Sequence, residues 1–378
     1  MRPTPPCNMP PSNIPPSNIV PLNNIMDIVP YKGGEAHIEG VSKIYKLSSN
    51  ENPLGCSDAA RAAFVAAAKD LNIYPDGGHD ELRGTIGARY GLDAGRIICT
   101  NGSDEVFQLL GRAYLAPGDE IIQSEYGFLV YRLIAQQSGA NCLSAKTDNY
   151  VAQVDAILAL ISDKTKIIFL DNPNNPCGTY LPFSEIQRLH SAMPKNVLLV
   201  LDAAYAEYVN KNDYSSGIEL AGAHENVLMT RTFSKIHGLA ALRIGWAYGP
   251  QAIIDALNRV RGPFNLNSAA LLAGVAAMKD EGFSNQSQSH NAKWLETLCS
   301  EIFSLGFEIV PSVGNFFLVG FDKTGAKTAD MADIFLKSKG LIMRKLGAYK
   351  LDNHLRISVG TIDANLALIA AFKEFTAQ

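Results

Sequence analysis

Between about residues 96 and 250 the chain alternates short apolar runs with longer stretches of mixed apolar and polar residues. Ile97–Thr100, Glu120–Gln123, Asn141–Ser144, Lys166–Leu170, Val197–Leu201, Val227–Thr230 and Ile244–Tyr248 are four or five residues long and bounded by turn formers, and they predict strands. The stretches near 103–115, 128–138, 153–161 and 183–191 have the length and spacing of helices. Strands alternating with helices are the signature of an α/β fold built on one large, mostly parallel sheet of seven strands. After Pro263 the rhythm changes. A long helical stretch over about 266–303 is followed by strand-like segments at 307–311 and 315–320, a helix at 328–339, strands at 341–344 and 354–359, and a last helix at 362–376. That pattern predicts a small α+β C-terminal domain. The organisation expected is an arm over 1–27, a large domain over 28–265 with 28–45 packing against the small domain, and a small domain over 266–378, the junction falling near 260–280.

Composition narrows the class. At 378 residues the chain is two to three times an average domain of ~150 residues, and 47% apolar with 19% charged residues is a globular balance. A net charge of −4 without a Lys/Arg-dense run argues against nucleic acid as a partner. The six cysteines are far apart and show neither CxxC nor Cys/His zinc spacing, so reduced thiols in a cytoplasmic compartment are expected. Prolines at 3, 5, 6, 10, 11, 15, 16 and 21 make the start an extended arm without the apolar core of a signal peptide. No run approaches 18 uninterrupted apolar residues, and the Ala-rich patches at 59–68 and 269–278 are read as core-facing helices, so no membrane span is expected. The seven histidines are scattered, with no HExxH and no GxGxxG, so neither a metal site nor a dinucleotide fingerprint is expected.

Chemistry concentrates at strand ends. The block Thr230-Arg231-Thr232-Phe233-Ser234-Lys235 through Arg243-Ile244-Gly245 follows one strand and enters the next. There Lys235 can sit beside a phosphate and another cation, an arrangement that lowers an amine's pKa. Thr232 and Ser234 can donate hydroxyl hydrogen bonds, and Arg243 can clamp a phosphate in bidentate fashion. A lone Ser-Lys pair reads more readily as a surface lysine. Asp171-Asn172-Pro173-Asn174-Asn175-Pro176 follows the apolar Ile167–Leu170 and could be a plain turn. Asp202, after Val197–Leu201 and three residues before Tyr205, could be a helix cap, or it could hold a protonated pyridine nitrogen and keep the ring an electron sink. Asn101-Gly102-Ser103-Asp104-Glu105 is a strand-to-helix turn of the kind that offers N–H groups to an anion. Each signal is weak alone; their order and spacing carry the weight.

With these residues assembled, the sequence resembles the fold-type I pyridoxal-5′-phosphate (PLP) aminotransferases, and among them the histidinol-phosphate aminotransferase family. The matching stretches are Leu47-Ser48-Ser49-Asn50-Glu51-Asn52-Pro53, Tyr74-Pro75-Asp76, Asn101 to Glu105, Tyr126-Gly127, Pro173-Asn174-Asn175-Pro176-x-Gly178, Asp202-x-Ala204-Tyr205, the Ser234-Lys235 block with its Arg243, and Leu355-Arg356-Ile357-Ser358-Val359-Gly360. The resemblance implies that Lys235 forms the Schiff base and shuttles the proton. It implies that Asp202 pairs with the ring nitrogen, that Asn175 and Tyr205 bond the phenolic oxygen, and that Tyr126 stacks on the ring. Ser103, Asp104, Thr232, Ser234 and Arg243 would hold the cofactor phosphate, joined by Tyr74 of a partner subunit in a homodimer with shared active sites. Tyr31, Asn50, Arg344 and Arg356 would bind substrate. Without the resemblance, Tyr31 reads as a hydrophobic staple, Asn50 as a cap and the two arginines as exposed strand-end charges.

Departures from the family's pattern are Ala203 where Glu is frequent, Cys177 where Thr is, and Ile73 where Arg is. Phe128 adds apolar surface near the ring, suited to an aromatic or imidazole side chain. The implied reaction is transamination of L-histidinol phosphate with 2-oxoglutarate in histidine biosynthesis. The alternatives are an aromatic amino-acid or prephenate aminotransferase, a phospho-amino-acid decarboxylase, and a non-catalytic PLP-binding sensor.

Overall fold

The computed structural model describes residues 19–30, 35, 37–41 and 43–377. Most of the proline-rich arm and Tyr31 lie outside the described residues. Seven strands form the large sheet: β1 (Ile97–Asn101), β2 (Glu120–Ser124), β3 (Asn141–Ala145), β4 (Thr165–Asp171), β5 (Leu198–Asp202), β6 (Val227–Thr232) and β7 (Ile244–Tyr248). They lie in the order β1-β7-β6-β5-β4-β2-β3. Only β7 runs antiparallel to its neighbours.

The uninterrupted apolar runs follow from burial of both faces. Side chains alternate across a strand, so Ile168 and Leu170 of β4 with Leu199 and Leu201 of β5 enter one core, while Ile167, Phe169, Leu198 and Val200 enter the other. The first core is covered by α1 (Asp58–Ala66), α2 (Asp80–Tyr90) and further helices; α3 (Ser103–Tyr114), α4 (Leu129–Ser138) and α5 (Gln251–Val260) cover the second.

The long helical stretch divides into α6 (Ser268–Lys279) and α7 (Glu281–Ser304), because the Asp280 side chain accepts the Phe283 N–H and caps the second helix. Ala270, Ala273 and Val275 of α6 belong to the first lobe's core, whereas Trp294, Leu298 and Ile302 of α7 belong to the second's. The division between these two cores falls at Asp280.

The second lobe carries an antiparallel sheet of β8 (Glu308–Val310), β9 (Phe316–Gly320), β10 (Arg344–Lys345) and β11 (His354–Ser358), ordered β8-β9-β11-β10. The short strand Tyr45–Lys46 pairs in parallel with Leu341–Ile342, and Leu47 is buried in the second lobe's core. This pairing carries residues 48–51 across the gap between the lobes. Among the described residues no helix is long and apolar enough to cross a membrane, and no group of side chains is arranged to hold a metal ion.

Candidate active site

Parallel strands β2, β4, β5 and β6 end at one edge of the sheet, where β7, running antiparallel, begins. Ligands of open α/β sheets bind outside this edge. The reversed direction of β7 explains how Arg243, immediately before it, reaches the same edge as Thr232, for Gly245 and Thr232 are register partners. A cavity of about 480 Å³ opens there, bounded on the far side by the second lobe.

One end of the cavity carries groups that suit a phosphate. The N-terminus of α3 presents Ser103 and Asp104, and the hydroxyls of Thr232 and Ser234 line the same wall. Arg243 Nη1 donates to Ser234 Oγ at 3.3 Å and Nη2 to Asp104 Oδ2 at 3.5 Å. The fit is close in the backbone: a Cβ on Gly102 would lie 2.5 Å from Arg243 Nη2, and one on Gly245 would lie 2.2 Å from the Ser103 nitrogen. Asp104, on the first turn of α3, is raised above the ordinary carboxylate range by burial, with Arg243 opposing.

Further in, the groups change to those that suit a heteroaromatic ring. Asp202 is buried and accepts from Tyr131 Oη at 2.7 Å, Thr230 Oγ1 at 3.2 Å and the Ala204 N–H at 3.2 Å. Burial pushes its carboxyl up to about 6, against the pull of the Tyr131 hydrogen bond. Tyr205 Oη accepts from Asn50 Nδ2 at 3.0 Å, which leaves its own proton to donate; burial pushes the phenol up to about 12 and keeps it neutral. Asn175 gives its side-chain oxygen to Arg356 and its backbone N–H to Asp171 at 2.9 Å, so its side-chain NH2 is the group left to donate to a ligand.

Lys235 stands between the two ends. Nζ donates to the Ser49 carbonyl at 3.2 Å and lies 5.6 Å from the Tyr205 ring centroid. Burial, then the Arg356 cation, lowers the amine to about 8. A sizeable fraction is therefore the nucleophilic free base near neutral pH.

The second lobe supplies the opposite wall. Arg344 and Arg356 are Cα partners on β10 and β11, and both line the cavity. Arg356 Nη2 donates to Ser48 O at 2.9 Å, and the guanidinium sits 5.3 Å over the Phe316 ring. Asn50 adopts a left-handed backbone with φ 55 and exchanges hydrogen bonds with the Ser358 hydroxyl.

Of the residues singled out from the sequence, Lys235, Asp202, Tyr205, Asn175, Ser103, Asp104, Thr232, Ser234, Arg243, Asn50, Arg344 and Arg356 converge on this cavity. Tyr126 does not line it: its ring packs beside Cys177, Val310 and Leu346, tilted against Tyr150, and Phe128 is the aromatic on the cavity wall. Tyr74 is 79% exposed and stacks on Phe264 at 4.8 Å, away from this chain's own cavity. The sequence reading missed Tyr131, the Ser49 carbonyl and Asp171. Asp171 ends a strand, a signal that could have found it; a backbone carbonyl and one more aromatic on a helix give none.

Groups suited to a phosphate at a helix start, a buried carboxylate suited to a ring nitrogen and a lysine of lowered pKa between them, all on this sheet, are those of a fold-type I pyridoxal-phosphate-dependent enzyme. The model of the aminotransferase class I and II family matches residues 42–372. Histidinol-phosphate aminotransferases of Maricaulis maris and Paramagnetospirillum magneticum are 55% and 51% identical over 93% of this chain and 97% of each relative. A solved histidinol-phosphate aminotransferase of Sinorhizobium meliloti in complex with pyridoxal-5′-phosphate is similar in structure, with TM-score 0.83 and 25% identity over 89% of this chain and 92% of that one. The chain belongs to the histidinol-phosphate aminotransferase family.

Proposed function

We propose that the protein transfers the amino group of L-histidinol phosphate to 2-oxoglutarate, giving imidazole acetol phosphate and glutamate in histidine biosynthesis. The single observation that carries this assignment is the pair of arginines, Arg344 and Arg356, on adjacent strands across the cavity from Lys235. Two guanidinium forks suit a phosphate, and they also suit the carboxylates of the acceptor in the second half-reaction. Bound pyridoxal phosphate supplies an electrophilic carbonyl and a ring that accepts the electron pair left when the Cα proton departs. Arg243, Ser234, Thr232 and the first turn of α3 would hold its phosphate. Asp202 would pair with its ring nitrogen, and Asn175 and Tyr205 would donate to its phenolic oxygen. Lys235 would be its point of attachment, and the free Nζ would be the base for the proton on substrate Cα. Asn50 keeps Tyr205 oriented, and Phe128 gives an apolar wall suited to an imidazole side chain.

The working unit in this proposal is a homodimer. The exposed Leu71, Ile73 and Tyr74 beside Phe264 form an apolar surface that a second copy would cover, bringing Tyr74 to the partner's phosphate end.

The test is steady-state formation of glutamate from 2-oxoglutarate with L-histidinol phosphate or L-phenylalanine as donor, with carbon dioxide release monitored in parallel. A preference for histidinol phosphate supports the proposal. Faster turnover of phenylalanine assigns the arginines to a carboxylate donor, and release of carbon dioxide replaces transamination with decarboxylation.

A further inference from the structure

Two buried carboxyls end neighbouring strands side by side. Asp171 closes β4 and Asp202 closes β5; they are Cα partners in parallel register, so their side chains leave the same face of the sheet. Each is 5% exposed. Their partners differ. Asp202 has the three donors described above, the shortest bond coming from Tyr131 Oη at 2.7 Å. Asp171 Oδ2 takes Asn174 Nδ2 and the Asn175 N–H, both at 2.9 Å, while its Oδ1 is buried without a hydrogen-bond partner.

An oxygen with two donors beside one with none is the pattern of a neutral carboxyl, whose carbonyl accepts and whose hydroxyl is idle. Two buried carboxylates this close disfavour each other, so the pair holds one negative charge more readily than two. The Tyr131 ring is not free to turn away. It stacks on Phe169 at 4.6 Å and 6° and meets Phe107 and Phe128 edge-on at 5.2 and 5.8 Å.

We propose that Tyr131 is a positioning residue whose hydroxyl places the single negative charge of the Asp171/Asp202 pair on Asp202, leaving the proton on Asp171. The proposal rests on the aminotransferase assignment only for its purpose, which is to keep an anion where the cofactor's ring nitrogen needs one. The other ionisable groups near the pair include Tyr205 and Tyr214 after β5, Cys177 in the Asn-Pro loop, Tyr349 and Arg356 from the second lobe, and Asp104 on α3. Among the described contacts, Tyr205, Tyr214, Cys177, Tyr349 and Asp104 make no hydrogen bond to either carboxylate. Burial raises both carboxyls above the ordinary carboxylate range, Asp202 to about 6 and Asp171 to about 7.

The variants are Tyr131→Phe, which keeps the packed ring, Asp171→Asn, and the double change. In the holoenzyme, Tyr131→Phe should weaken pyridoxal phosphate about tenfold, the loss of one hydrogen bond to a charged group, and should shift the pH midpoint of the bound cofactor's absorbance. In the Asp171→Asn background the same change should cost less than about threefold, because no second carboxyl then competes for the charge. Affinity and titration unchanged in Tyr131→Phe, or an equal loss in both backgrounds, would overturn the proposal.

A second measurement needs no cofactor. Infrared spectra of the apoprotein with 13C-labelled aspartate, taken between pH 6 and 7, should show a buried protonated-carboxyl stretch that Asp171→Asn removes. A band surviving Asp171→Asn but lost in Asp202→Asn would invert the charge placement. Wild-type protein that binds no pyridoxal phosphate would defeat the aminotransferase assignment while leaving the infrared test in force.

Discussion

Arg356 is the residue whose replacement tests the substrate wall most sharply. It is 7% exposed, its Nη2 donates to Ser48 O at 2.9 Å, its Nη1 donates to Asn175 Oδ1, and its plane lies over the Phe316 ring. These contacts orient the guanidinium before substrate arrives, so little order is left to impose on binding. Hydrogen bonds to a charged group contribute about 1.5–3 kcal/mol each. A two-point contact with a phosphate is therefore worth roughly 3–6 kcal/mol, or about two to four orders of magnitude in kcat/KM. Arg356→Gln should lose that much with L-histidinol phosphate and far less with L-histidinol, which lacks the anion. Arg356→Lys keeps the charge but cannot span Ser48 and Asn175, and should lose about ten- to a hundredfold.

A second signature comes from Lys235, held at about 8 by burial first and Arg356 second. Removing that cation favours the protonated amine, so the acid limb of the single-turnover rate at saturating donor, where Lys235 is the free amine, should move to higher pH in Arg356→Gln. Both are read from single-turnover kinetics over donor concentration and pH. A loss below about threefold with an unmoved acid limb, or equal losses for the two donors, would refute the assignment of Arg356 to the substrate anion.

Three further outcomes are expected. Arg243→Ala should weaken pyridoxal phosphate at least about tenfold by equilibrium dialysis, through loss of a charge-assisted clamp, and unchanged affinity would remove Arg243 from the phosphate site. Asp171, raised from 3.8 to about 7, binds its proton more tightly folded than unfolded; its contribution is present below about pH 4 and is lost as pH rises through about 7. Asp171→Asn should therefore melt higher than wild-type apoprotein above pH 7, by a few kcal/mol, and alike near pH 4; a gain independent of pH would show that its ionisation is not responsible. If Tyr74 serves the partner's site, mixing inactive Lys235→Ala subunits with impaired Tyr74→Ala subunits should restore activity by creating one intact site per mixed dimer, and no restoration would assign each site to a single chain.

The central strands were legible because burial on both faces leaves continuous apolar runs, as in Ile167–Leu170. The helix Asp80–Tyr90 was not read, because only Leu82, Ile86 and Gly87 of its eleven residues are buried and two glycines interrupt it. The break at Asp280 was hidden for a related reason: Lys279-Asp280-Glu281 is compatible with a continuing helix, and only the capping bond to Phe283 ends it. Within the site, Lys235, Asp202, Asn175 and Arg243 stood out because each adjoins a strand end, where spacing and chemistry coincide. Tyr131 could not stand out, since its hydroxyl meets a carboxylate 71 residues away and in sequence it is one more aromatic on an amphipathic helix. The exchange of Tyr126 for Phe128 on the cavity wall was equally hidden, because two aromatics two residues apart in a loop differ only in which way the backbone turns them.

The most direct test of the central claim is one half-reaction. Purified, pyridoxal-phosphate-loaded enzyme is mixed separately with L-histidinol phosphate, L-phenylalanine and L-glutamate, and the bound cofactor's absorbance is followed, with Lys235→Ala as control. Rapid, Lys235-dependent conversion to the pyridoxamine form by histidinol phosphate and by glutamate, well ahead of phenylalanine, is the expected result. Conversion as fast with phenylalanine would contradict the substrate assignment, and an absorbance that no amine changes in a lysine-dependent way would contradict the enzyme itself.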